Sequence, residues 1–291
     1  MELLSKDPSF CTCPEAEVLV NYFLSNPNRP FKLNDEMLFL IFSWVDFDIK
    51  LKSWGLDKLL LKRLLKHAQD FYGAFIVFLE CYRMQYFPSA TTVVFKATKI
   101  SESLFGLLNY ESFKSIQAIR IVRDPRAVFS SQRKTVSPTS LKIMNRNPIE
   151  VAYSWSVWMD DTDKILGPRF VSLNYEKLLL EGVDYLVVGL KQMKMEYSPY
   201  QPGNHFLRLP KEQRSIHKNV SGPCLVNRIS DWQNNLSLGQ IGLIEHISKF
   251  QMNKNGYDRF GRHNVWLRFT ILYCFWGCLS RLKRIKKEVF G

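Results

Sequence analysis

The chain has 291 residues, enough for one sizeable α/β domain or two small ones. Its content of 46% hydrophobic and 14% aromatic residues excludes a disordered protein. Forty Lys+Arg residues against 27 Asp+Glu give a net charge of +13, which favours anionic partners (nucleotides, acidic glycans, nucleic acid or a membrane surface) without choosing among them.

The first part of the chain, from residue 15 to about residue 87, is predicted to be helical with connecting turns. Leu56, Leu59, Leu60 and Leu64 recur at spacings of three and four residues. This spacing predicts a helix that buries these leucines and exposes the lysines between them.

Short stretches rich in Val, Ile and other strand-forming residues follow. Strands are predicted at 91–95, 116–122 and 170–176. Helices are predicted at 149–165, from 176 to about 193, and at 238–250.

The segment from Ser115 to Lys134, SIQAIRIVRDPRAVFSSQRK, carries the most chemical information. Its strand breaks at Arg123 and restarts as a helix, for which Asp124 is a suitable cap and Pro125 a suitable first residue. A strand that runs directly into a helix forms the edge of a crevice where ligands bind in open α/β sheets. Arg123 offers a bidentate fork to phosphate oxygens, and Ser131 offers a hydroxyl to the same anion. The alternative is an ordinary helix cap with surface charge.

This segment, with Ser131 eight residues after Arg123, resembles the 3′-phosphate-binding segment of sulfotransferases, particularly the Golgi carbohydrate sulfotransferases. The resemblance covers most of residues 1–260. It implies an α/β fold of the P-loop-like type, with three α/β/α layers around a central parallel sheet. It also implies transfer of a sulfonyl group from 3′-phosphoadenosine 5′-phosphosulfate (PAPS) to a hydroxyl of a glycan acceptor, in the Golgi lumen or at its membrane. In the family the residues at the positions of Arg123 and Ser131 hold the 3′-phosphate of the donor.

The same resemblance implies roles for three further residues. Glu15 is the candidate catalytic base, although the Glu-Pro order of the family is inverted here at Pro14-Glu15. Tyr175 is expected close to the donor nucleotide, and Lys218 on a loop that closes over the 3′-phosphate. The alternatives are a surface acid for Glu15 and simple packing for Tyr175.

The family places a Gly/Ser-rich loop around the 5′-phosphosulfate of the donor, before the first helix. The first ten residues, MELLSKDPSF, resemble the end of that helix, so the fold is expected to be incomplete at its N-terminus. They also hold no apolar run of the kind found in a secretory signal, which conflicts with a Golgi enzyme. Two functions therefore stay open: a sulfotransferase, or a non-catalytic binding protein that kept the fold and lost this loop.

The division expected along the chain is a sulfotransferase-like domain at 1–260 and a tail at 261–291. The tail contains VWLRFTILYCFWGCL followed by SRLKRIKKEV. Its apolar part is shorter than the roughly 20 residues that span a bilayer. It is either an interfacial helix on an anionic membrane surface or a terminal helix packed on the domain.

Other partners and cofactors find little support in the sequence. The six cysteines are too scattered for a disulfide scaffold and lack paired zinc spacing, so no metal is expected, while one or two disulfides stay open. The P-loop motif G-x-x-x-x-G-K-[ST] is absent, which argues against a P-loop kinase. Nucleic-acid binding would rest on net charge alone, so no nucleic-acid partner is expected. The sequons at Asn219 and Asn235 matter only in a glycoprotein of the secretory pathway.

Overall fold

The computed structural model describes residues 3–97, 116–136, 142–145, 147–164, 169–198 and 226–260. The chain divides into two compact units, Met1–Ile121 with Asp161–Leu225, and Val122–Asp160 with Val226–Gly291. Each unit has hydrophobic clusters of its own. The predicted tail at 261–291 lies outside the described residues.

Helices of the first unit begin at side chains that suit a helix start. Asn34, Asp48, Asp57 and Asp70 each precede a helix and accept backbone N–H groups of its first turn at 2.7–3.1 Å. These bonds satisfy donors that a helix start leaves unpaired. The helices are α1 Glu17–Leu19, which continues as a π-helical turn at Val20–Leu24, α2 Asp35–Phe47, α3 Ile49–Lys52, α4 Lys58–Leu65 and α5 Phe71–Tyr86.

Four strands are described, and they form two pairs. Strand β1, Phe10–Cys13, is buried along its whole length and lies parallel to β2, Thr92–Phe95, with Cys13 opposite Phe95. Parallel neighbours need a long crossover, which α1 to α5 supply. Strand β3, Ala118–Val122, pairs with β4, Phe170–Asn174. The three predicted strands are therefore confirmed, each with an end within two residues of its prediction.

The later helices follow the sequence predictions closely, except that the helix predicted at 238–250 is divided at Ser248 and the one predicted from 176 is divided at Gly182. They are α6 Pro125–Gln132, α7 Pro148–Asp163, α8 Tyr175–Glu181, α9 Val183–Gln192, α10 Asp231–Asn235, α11 Leu238–Ile247 and α12 Lys249–Lys254. The helix predicted to reach about residue 193 is divided at Gly182, whose φ of 62° an α-helix does not allow. Gly189 then lets α9 approach β4, since a Cβ there would lie 2.6 Å from Leu173 Cδ2.

Two clusters of buried side chains build the second unit. One joins α6, α7, α10 and α11, and the other holds the end of β3 against α7 and α12. The first consists of Ala127, Phe129, Val151, Ala152, Trp232, Leu236, Ile241 and Ile244. The second consists of Val122, Trp155, Met159, Met252 and Tyr257.

The solvent face of α4 differs from the predicted one. Leu61 and Leu65 are fully buried, whereas Leu59 is 81% exposed. Because leucine fills five of the eight positions of this helix, spacings of three and four residues fit more than one face. The prediction that Leu59 is buried is therefore wrong. Packing within the first unit buries the face that carries Leu61 and Leu65.

Within the part of the chain that is described, no helix has both the length and the apolar character to cross a membrane.

Candidate functional site

The connection from β3 to α6 forms as its sequence predicts. Strand β3 ends at Val122, Arg123 follows, and the Asp124 carboxylate accepts the backbone N–H of Arg126 at 2.8 Å. Pro125 occupies the first turn of α6, where its missing N–H costs no hydrogen bond. The strand, the cap and the helix start of this segment are thus confirmed.

Two aromatic side chains hold the backbone on which Arg123 sits. The Trp155 indole N–H donates to the carbonyl oxygen of Arg123 at 3.0 Å. The Tyr257 hydroxyl donates to the carbonyl oxygen of Val122 at 3.2 Å. Backbone carbonyls that are bonded by buried rings keep a loop in one conformation, so the Arg123 guanidinium starts from a fixed Cα position.

Ser131 lies on the exposed strip of a mostly buried helix. Residues 125–127, 129 and 130 of α6 are buried, while Ser131 is exposed and Val128 and Gln132 are partly exposed. The rise of about 1.5 Å per residue places Ser131 roughly 10 Å along the helix from Asp124. The hydroxyl of Ser131 is therefore open to a ligand, which its neighbour Ser130 is not.

Arg126 has a structural role that the sequence did not indicate. Its guanidinium binds Asp124 at 2.7 Å and Glu245 at 2.6 Å, and lies 4.0 Å from the centre of the Trp232 ring. Burial alone would lower the pKa of Arg126, but the hydrogen bonds and charges of Asp124 and Glu245 raise it above its usual value. Arg126 therefore stays protonated and engaged with two carboxylates.

The nearby Arg120 is engaged in the same way. It is buried in the first unit, where it lies 2.9 Å from Asp163 and donates to Ser172 at 3.0 Å. Among the three arginines of the motif IRIVRDPR, two thus neutralise buried carboxylates. The third is Arg123, whose role in binding phosphate stays a prediction.

Glu15 follows β1, as the sequence predicts, and takes part in an ion-pair cluster. Its carboxylate lies 3.4 Å from Lys50 Nζ, and that ammonium group lies 3.2 Å from the carboxylate of Glu17. The Glu15 side chain is 14% exposed. Its role as a base stays a prediction.

Tyr175 is the first residue of α8, directly after β4, and is partly buried. Asn174 caps this helix by accepting the backbone N–H of Lys177 at 3.0 Å. Glu15 and Tyr175 belong to the first unit, and Arg123 and Ser131 to the second. Lys218 lies outside the described residues, so the predicted roles of Tyr175 and Lys218 stay predictions.

No group of three or more His, Cys, Asp or Glu side chains among the described residues is arranged to hold a metal ion.

Comparison with known proteins defines the fold. No protein-family model and no curated protein matches the sequence. Among solved structures, the chain is similar to a sulfotransferase domain from the curacin biosynthetic pathway, with a TM-score of 0.52 and 15% sequence identity. The alignment covers 88% of this chain and 92% of that domain. The chain therefore has the sulfotransferase fold, and the predicted α/β class with parallel strands is confirmed.

Proposed function

We propose that this protein is a sulfotransferase that moves a sulfonyl group from PAPS to a hydroxyl of a carbohydrate acceptor. The observation that carries the proposal is the β3–α6 segment, which presents Arg123 and the exposed Ser131 within a sulfotransferase fold. In this proposal both residues bind the 3′-phosphate of the donor.

The chemistry of the two side chains suits a phosphate. A guanidinium presents a planar fork that binds two phosphate oxygens at once, and these charge-assisted bonds are stronger than neutral ones. The Ser131 hydroxyl adds a donor from the exposed strip of the helix. The neutralised Arg126 holds Asp124 in its capping position, which keeps the loop of Arg123 in place.

The reaction is an in-line displacement at sulfur. The acceptor oxygen forms a bond to sulfur while the bond between sulfur and the 5′-phosphate oxygen breaks, which releases 3′-phosphoadenosine 5′-phosphate (PAP). A base takes the proton of the hydroxyl, and we assign that role to Glu15. We also assign donor binding to Tyr175 and Lys218, and we propose a Golgi location from the carbohydrate acceptor.

A second candidate is a protein of the same fold that binds the donor product without catalysis. The observation in its favour is the ion pair of Glu15 with Lys50, since a base must be free to reach the acceptor proton. The two candidates share the donor site and differ in chemistry.

Calorimetry with PAP tests the donor site. We expect the full chain to bind PAP, Arg123→Ala to abolish binding, and Arg123→Lys to retain only part of it, because the fork is lost while the charge remains. Arg63→Ala, which removes an exposed arginine of α4, is the matched control and should bind normally. A wild-type chain that does not bind PAP would remove the donor-site assignment.

Transfer of radiolabelled sulfate from PAPS to a mixture of glycans separates the two candidates. Labelled glycan that disappears in the Arg123→Ala variant supports the enzyme. Binding of PAP without any transfer supports the non-catalytic protein instead.

A further inference from the structure

An open cleft lies beside the candidate base in the first unit. It has a volume of about 380 Å³ and is lined by Glu17, Val18, Asn21, Tyr22, Trp44 and Asp48. Small-molecule sites commonly range from about 300 to 1,000 Å³, so the cleft is large enough for a small ligand.

The wall of the cleft is built on an irregular part of the backbone. Asn21 and Tyr22 belong to the π-helical turn at Val20–Leu24 that continues α1. Short π-helical turns are rare and occur frequently at functional sites. The wider turn carries these two side chains into the cleft wall.

The apolar side of the cleft is a rigid pair of aromatic rings. The ring centres of Tyr22 and Trp44 are 4.7 Å apart at an angle of 66°, and Tyr22 also stacks on Phe71 at 5.3 Å. Both cleft-lining rings are partly exposed. Rings that are held by other rings offer a flat surface at little cost in side-chain entropy.

The polar side of the cleft offers both acceptors and donors. Asp48 caps α3 through Oδ1 alone, which accepts from the backbone of Lys50 at 3.1 Å and of Leu51 at 2.8 Å. Asn21 has an exposed amide, and the indole N–H of Trp44 has no acceptor among the described residues. A ligand that fits must therefore both donate and accept hydrogen bonds.

The charges of the cleft select against an anion. Its lining includes the carboxylates of Glu17 and Asp48 and no basic residue. The neighbouring ammonium of Lys50 already lies 3.2 Å from Glu17 and 3.4 Å from Glu15. The carboxylates would repel an acidic sugar. They would attract an ammonium group, but that group offers no acceptor to the indole N–H of Trp44.

A pyranose without charge meets all of these conditions. Its hydroxyls donate and accept, and its C–H face packs on an aromatic ring. We infer that the cleft binds an uncharged pyranose of the acceptor glycan. The inference rests on the proposed function, because the cleft is assigned to the acceptor by its closeness to the candidate base. Lys50 forms ion pairs with both Glu17 of the cleft wall and Glu15.

Saturation-transfer NMR on the full chain tests the inference with three groups of sugars. The neutral probes are lactose, cellobiose and chitobiose, the acidic probe is a hyaluronan disaccharide, and the amine probe is glucosamine. We expect at least one neutral disaccharide to bind saturably and the acidic one to bind about tenfold more weakly. Binding of none of the neutral probes, or a preference for glucosamine, overturns the inference.

Variants connect the binding to the cleft. Trp44→Ala removes the aromatic surface, and Asn21→Asp removes the amide N–H donors at an exposed position without affecting the core. We expect each variant to bind the neutral disaccharide about tenfold more weakly or worse. The Asn21→Asp variant keeps the test valid if Trp44→Ala fails to fold, and unchanged binding by Asn21→Asp contradicts the inference.

A matched pair of caps isolates the effect of charge. Asp48→Asn keeps a good helix cap but removes a carboxylate from the cleft. It should therefore reduce the difference in affinity between the neutral and the acidic disaccharides. Asp57→Asn makes the same change at the cap of α4, outside the cleft lining, and should leave the difference unchanged. Equal effects of the two variants overturn the inference.

Calorimetry with PAP on the same samples separates this inference from the proposed function. PAP binding without neutral-sugar binding leaves the donor site and removes the cleft assignment. Neutral-sugar binding without PAP binding keeps the cleft assignment and removes the donor site.

Discussion

The ends of β1 and β3 make an informative comparison, because each strand leads to a candidate functional residue and the two surroundings differ in charge. After β1, the carboxylates of Glu15 and Glu17 share one cation, Lys50. After β3, the guanidinium of Arg126 is neutralised by two buried carboxylates, those of Asp124 and Glu245. At the end of β1 two carboxylates outnumber one cation, whereas at the end of β3 the two arginines, Arg123 and Arg126, are matched by two carboxylates. The same local architecture, a strand that leads to a helix, thus occurs with two different balances of charge.

The largest effect is expected at the end of β3, where Arg126 binds two buried carboxylates. Arg126→Ala leaves Asp124 and Glu245 buried without their cation, so the free energy of unfolding should fall by about 3–5 kcal/mol. Denaturant unfolding measures this loss. Arg63→Ala, at an exposed site, should change stability by no more than about 0.5 kcal/mol. Similar values for the two variants would show that the Arg126 network does not stabilise the segment.

The next effect concerns ligand binding at the same end. Ser131→Ala removes one hydroxyl that donates to a charged phosphate, a loss of about 1.5 kcal/mol or roughly tenfold in the dissociation constant for PAP. Calorimetry measures the change, and the exposed position of Ser131 should leave stability unaffected. Gln132→Ala changes the adjacent residue of α6 and serves as the control. An unaltered dissociation constant for Ser131→Ala would place the phosphate elsewhere.

A smaller effect is expected at the end of β1. Lys50→Gln removes the cation that Glu15 and Glu17 share, and partly exposed ion pairs contribute about 0.2–1 kcal/mol each. We therefore expect a loss of about 1 kcal/mol in the free energy of unfolding at low ionic strength, which should shrink in about 1 M salt. Lys52→Gln, an exposed neighbour in α3, is the control. A loss that does not respond to salt would mean that Lys50 acts through packing.

The smallest response is expected from the buried thiols of β1 and α5. Cys11 and Cys13 of β1 and Cys81 of α5 are free and fully buried. Burial, with the charge of Asp57, raises the pKa of Cys81 to about 12, and burial raises the pKa of Cys13 well above its usual value. Only the thiolate reacts, and it forms above the pKa, so Cys13 and Cys81 should show almost no alkylation in native protein at about pH 8. Cys11 should be protected as well, because its burial keeps the reagent away. Peptide mapping by mass spectrometry should find all three labelled after unfolding, and labelling of the native chain would contradict the burial of β1.

Local signals in the sequence were sufficient to predict the secondary structure of the β3–α6 segment. The β-branched residues of β3, the acid at position 124 and Pro125 act within a few residues of one another, so the strand, the cap and the helix followed from them. Arg123 and Ser131 were assigned from that pattern and from a resemblance, and the fold similarity supports the class. The spacing of the cysteines left open whether any of them form disulfides. Among the described cysteines, Cys11, Cys13 and Cys81 are free thiols.

The sequence by itself determined where strands and helices begin and which residue types stand at the strand ends, because capping and strand propensity depend on neighbours along the chain. Only the tertiary structure decided which charges are already paired. Arg126 meets Glu245, which is 119 residues away, and Glu15 meets Lys50 across α1 and α2. It also decided that Leu61 rather than Leu59 faces the core. Charge pairing and burial depend on contacts between distant segments, and no local pattern encodes those contacts.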